Sequence, residues 1–147
     1  MRFKKRVKSF AVYYGPGLPS ELLNYDVAIL SPLISSNRLK LLNQRGVITV
    51  GYLSLAEVRG WEPWLNETPR LMGRLTTKEA LNWWGRIVLR KAIPFLLKKG
   101  FKGVFLDNLD VVGLNPKLTP KLVSLVKKVR SAWPGPVIVN RGFRVLE

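Results

Sequence analysis

The chain has 147 residues, the length of one ordinary domain, and 47% of them are apolar, which supplies a core and excludes an intrinsically disordered chain. Its 25 Lys and Arg against nine Asp and Glu give a net charge of +16, which favours polyanions and anionic surfaces at long range. With no Cys and no His, disulfides, thiolate nucleophiles, Ser/His/Asp triads and His-ligated zinc are excluded, so acid–base chemistry near neutral pH falls to carboxylates, Lys or Tyr.

The opening "MRFKKRVKSFAVYYG" has the positive flank of a signal peptide without its apolar core, because the short apolar run meets Gly15 and Pro16. A cytoplasmic location is therefore the default expectation, and secretion would follow from a longer N-terminus. No segment approaches the roughly 18 to 20 apolar residues of a membrane span.

Five short apolar runs follow in order: "FAVYYG" (10 to 15), "VAILSP" (27 to 32), "VITVGYLSL" (47 to 55), "GVFLD" (103 to 107) and "PVIVN" (136 to 140). They are nearly continuous rather than alternating, the pattern of strands buried on both faces of a parallel sheet. Between the first two, "PGLPSELLNYD" leaves room for at most a short helical turn.

Helical patterns separate the others. "SSNRLKLLNQRG" (35 to 46) starts on Ser and Asn and stops at Gly46. The stretch from 76 to 100 opens with a capping box, Thr76 and Glu79, ends on Gly100, and should kink or break at Pro94. "LTPKLVSLVKKVRSAWPG" (118 to 135) places Pro120 at the expected first helical position and ends on Pro-Gly. Basic residues on these polar faces read first as solvated helix surface, and no RNA- or DNA-binding motif accompanies them.

The order is β-α-β-α-β-α-β-α-β, one partial domain over 1–147 without a linker. Two architectures fit: parallel β/α units of a TIM-type barrel truncated to about five strands, or an open doubly wound sheet. In both, chemistry collects at the carboxyl ends of the strands. Those ends carry Tyr13 and Tyr14, Ser31, then Tyr52, Ser54 and Glu57, then Asp107, Asn108 and Asp110, and last Asn140 and Arg141. Two-residue periodicity puts Phe105 and Asp107 on one side of the fourth strand. Loop tryptophans Trp61 and Trp64 suit ligand stacking, whereas Trp83, Trp84 and Trp133 belong to helices and suit packing. No acidic repeat of a calcium loop is present, so neither a metal nor a cofactor is expected.

Taken in order, "FAVYYGPG", "YDVAILSP", "VITVGYLSLAEV", "GFKGVFLDNLDVV" and "VIVNRGF" resemble glycoside hydrolase family 114, the endo-α-1,4-polygalactosaminidases and relatives once labelled cysteinyl-tRNA synthetase-related. The resemblance runs through essentially the whole chain, and "YLSLAEV" with "FLDNLD" is its most specific part. It implies a β/α barrel that cuts an amino-sugar polysaccharide with two carboxylates. Asp107 would be one of them, and Tyr14, Tyr52, Ser54, Glu57, Asn108, Asp110, Asn140 and Arg141 would line the sugar subsites. The second catalytic carboxylate of such enzymes is a Glu on a later strand, and Glu147 follows the fifth strand too closely for that role.

The alternative is a protein without chemistry that binds carbohydrate or a polyanion such as RNA. A sheet of five strands also has two open edges, which predicts a homodimer or a covering segment.

Overall fold

The computed structural model describes residues 7–15, 17 and 19–140. Strand β1 is Phe10–Tyr13, and a single 3-10 turn, Ser20–Asn24, leads to β2 at Val27–Leu30. Helix α1 is Ser36–Gln44, capped by Ser35, whose Oγ accepts from the Arg38 amide at 3.3 Å. Strand β3, Ile48–Ser54, is followed by a hairpin that the apolar pattern does not announce, β4 at Glu57–Val58 and β5 at Gly73–Arg74.

Helix α2, Lys78–Ile87, is capped by Thr77 and not by Thr76: the Thr77 Oγ1 accepts from the Ala80 amide at 3.2 Å. The expected break at Pro94 is replaced by a wider turn. Residues Val88–Ala92 form one π-turn in which the Ile93 amide reaches back to the Val88 carbonyl, and α3 continues over Ile93–Lys99. Proline has no N–H with which to serve the fourth carbonyl behind it, and a π-turn absorbs that misfit without ending the helix. Gly100 then closes α3 in the left-handed region, at φ 110°.

Strand β6 is Gly103–Asp107, two 3-10 turns occupy Leu109–Gly113 and Pro116–Leu118, helix α4 is Thr119–Ala132, and β7 is Val137–Val139. The main sheet runs β1-β2-β3-β6-β7, every pair parallel. Its spatial order is its sequence order. A doubly wound sheet reverses direction partway, so the winding here is that of a barrel, with right-handed crossovers placing the helices on one face. The five strands do not close: among the described residues, β1 and β7 each pair on one side only.

Alternation along the strands separates two apolar layers. Ala28, Leu30, Leu53, Val104 and Leu106 join the helices in the main core, around Leu39, Leu42, Trp84, Leu96 and Leu122. The other face holds a small cluster made from strands alone: Val27, Ile29 and Val50 with Ile48, Phe105 and Ile138. On β1 this inner face is open, with Phe10 66% and Val12 51% exposed.

Candidate active site

Strand register carries the site. Tyr52 pairs with Phe105 and Ser54 with Asp107, so the last inward positions of β3 and β6 are neighbours. Asp107 ends β6 facing the same way as Phe105, into a groove of about 1180 Å³ on the inner face of the sheet. The groove is walled by apolar strand residues and closed at one end by the 59–64 loop, with Trp61 and Trp64 on its lining.

Both carboxylate oxygens of Asp107 are engaged. The Tyr52 hydroxyl donates to Oδ2 at 2.8 Å, and Asn140 Nδ2 donates to Oδ1 at 2.9 Å. Asn140 is delivered by an extension of the ladder, its amide donating to the Leu106 carbonyl at 2.9 Å. Asn108 turns the chain away with φ 65°, a left-handed conformation that Asn adopts more readily than most residues. From there its Nδ2 donates to Ser54 Oγ at 2.6 Å, and that oxygen also accepts from the Glu57 amide at 2.9 Å.

Burial lifts the Tyr14 hydroxyl to about 12, with a contribution from the Asp107 charge. Tyr52 is likewise raised, first by burial and then by its hydrogen bond to Asp107. Both hydroxyls therefore keep their protons at neutral pH, and Tyr52 serves as a donor and not as a base.

The residues singled out from sequence separate on this geometry. Tyr14, Tyr52, Ser54, Glu57, Asp107, Asn108 and Asn140 all line the groove. Asp110 does not: it lies exposed in the 3-10 turn after β6. Arg141 and Glu147 lie outside the described residues. Glu57 faces Arg59, with Nε 3.3 Å from its carboxylate, a bridge whose guanidinium is largely exposed and adds little.

Two groove residues escape a reading by strand ends. Glu62, 6% exposed, accepts from the Arg59 and Gly60 amides at 2.5 and 2.7 Å and so pins the loop that carries Trp61. Its oxygens are committed to the backbone, which makes it an anchor and not a second catalytic carboxylate. Trp84, expected to pack, does so at 0% exposure, yet it also reaches the groove and donates Nε1–H to the Ser54 carbonyl at 2.9 Å. The place of Glu62 two residues after Gly60 lets its longer side chain reach back to the loop amides, an arrangement that no strand-end pattern announces.

No cluster of three or more metal-ligating side chains occurs among the described residues, and no described helix is long and apolar enough to cross a membrane.

No protein-family model and no curated protein matches the chain. Solved structures do. The glycoside hydrolase domain of PelA from Pseudomonas aeruginosa aligns with a TM-score of 0.75 at 24% identity, over 96% of this chain and 62% of that one. A variant of the same domain gives the same TM-score at 23% identity. Ega3 from Aspergillus fumigatus, in complex with galactosamine, aligns with a TM-score of 0.70 at 15% identity, over 92% of this chain and 61% of that one. At these identities the likeness is one of fold. The chain spans less than two thirds of the length of these structures.

Proposed function

We propose that this chain is a glycoside-hydrolase-type unit acting on an amino-sugar polysaccharide, of the polygalactosaminidase kind, with Asp107 as one catalytic carboxylate. The observation that carries the reading is an aspartate at the end of an inner-face strand, with both oxygens held by donors, in an apolar groove on a fold shared with glycoside hydrolase domains. The galactosamine named with Ega3 supports the amino-sugar class.

Glycoside hydrolysis divides its work between an acid and a second carboxylate that acts as base or nucleophile. Asp107 accepts from Tyr52 and Asn140, which suits the member that works as an ionised carboxylate; the acid must come from elsewhere. Exposed Trp61, at the groove rim, offers an indole face for a sugar ring.

The test is to incubate the chain with partly acetylated polygalactosamine and assay new reducing ends. Hydrolysis that disappears in Asp107→Asn supports the assignment, and hydrolysis that persists in that variant removes it.

Non-catalytic binding of carbohydrate or of a polyanion such as RNA is the second reading, supported by the single identified carboxylate and by exposed Arg38, Lys40, Arg86, Arg90, Lys127 and Lys128 on the helices. RNA binding that falls steeply with salt would favour it.

A further inference from the structure

The carboxylate of Asp107 stands at the junction of three strands, and each oxygen is gripped from a different neighbour. Tyr52 comes from β3 at 2.8 Å, and Asn140 comes from the end of β7 at 2.9 Å. An ionised carboxylate can only accept, so two donors on separate oxygens fix both the plane of the group and its rotation about the side chain.

The donors are themselves held. The Tyr52 ring meets Tyr14 edge-on at 5.2 Å and lies near-parallel to Phe105 at 6.1 Å between centroids. Asn108 ties the ends of β3 and β6 together through Ser54 Oγ at 2.6 Å, and its amide approaches the Tyr52 hydroxyl at 3.5 Å. Asn108 makes this brace from a left-handed φ of 65°, a conformation that Asn accepts more readily than most residues.

The Tyr52 hydroxyl has one proton, and it is directed into the hydrogen bond to Asp107. A sugar oxygen could receive that proton only after the bond to Asp107 broke.

We propose that Tyr52 and Asn140 are positioning residues for Asp107, braced by Asn108. The assignment rests on the reading of Asp107 as the reactive carboxylate. It gives the Tyr52 proton a task through Asp107, and the raised Tyr52 pKa keeps the donor intact at working pH.

The experiment compares the parent chain with Tyr52→Phe, Asn140→Ala and the double variant, each checked for folding by thermal melting. Three-bond couplings from Asp107 Cγ to its backbone N and C′ report the side-chain rotamer, and hydrolysis of partly acetylated polygalactosamine reports kcat and KM. One rotamer in the parent and averaged couplings in the double variant are expected, with kcat for Tyr52→Phe falling about 10- to 100-fold at unchanged KM. If the double variant does not fold, Tyr52→Phe, which removes a single oxygen, carries the coupling test alone. A single rotamer that survives removal of the donors overturns the proposal, as does a rise in KM at constant kcat. A parent chain that shows no hydrolysis counts against the functional reading, while the couplings still decide the positioning.

Discussion

Trp84 joins the helical layer to the site, and shortening it to Phe tests that link. Its indole lies at 0% exposure on the buried side of α2 and donates to the Ser54 carbonyl at 2.9 Å, at the end of the strand that also carries Tyr52. Trp84→Phe removes that bond and leaves the carbonyl in an apolar setting, at about 1–3 kcal/mol. The smaller ring leaves a void. Truncating a buried aromatic ring to Ala costs about 3–5 kcal/mol, and losing part of the indole accounts for about 1–2 of that. The sum is about 2–5 kcal/mol, which for a domain of this size lowers Tm by roughly 5–20 °C. Urea denaturation followed by circular dichroism measures it. A loss below about 0.5 kcal/mol with an unchanged denaturant slope would refute the claim that this indole fastens the strand end.

Two further predictions concern the tyrosines and the open edges. Because folding raises the Tyr14 pKa to about 12, and raises Tyr52 as well, the native state holds these protons longer than the unfolded chain. Stability should therefore be full below about pH 10 and decline as the pH rises through the folded values. Absorbance at 295 nm should show late-ionising tyrosines that titrate earlier in Asp107→Asn, and a single transition near the ordinary value in the parent would contradict the geometry. Among the described residues β1 and β7 each pair on one side only, which predicts either a covering segment or a homodimer, and twice the chain mass by light scattering would identify the dimer. A monomer mass at working concentration excludes it.

The strands were legible because buried parallel strands are written as short apolar runs, and each observed strand of the main sheet falls within one: Gly103–Asp107, for example, matches "GVFLD". Which strand lies beside which was not. Barrel winding and double winding differ only in long-range pairing, and no local stretch encodes that β6 follows β3 across the sheet. The 57–74 hairpin escaped for a similar reason: strands of two residues have no periodicity to read. At the site, the two-residue rhythm of "FLD" was enough to pair Phe105 with Asp107. It does not reveal that Tyr52 and Asn140 converge on that aspartate from strands on either side, since their separations of 55 and 33 residues leave no trace in the sequence. The cap on Thr77 instead of Thr76 shows the ordinary one-residue slack of a Thr-Thr start.

Winding all the strands in sequence order also sorts the charges. The exposed cations of the helices, Arg38, Lys40, Arg86, Arg90, Lys127 and Lys128 among them, lie behind the sheet, while among the described residues the charged groups lining the groove in front are Glu57, Glu62, Asp107 and Arg59. The layers between are on the order of 10 Å thick, and mobile ions at physiological strength damp exposed charges over roughly 8 Å. Among the described residues, a ligand inside the groove meets three nearby carboxylates and one guanidinium, while the helical cations act mainly on its approach. Diluting the salt lengthens the reach of the helical cations, so ionic strength selects which face of this molecule an arriving charge feels first.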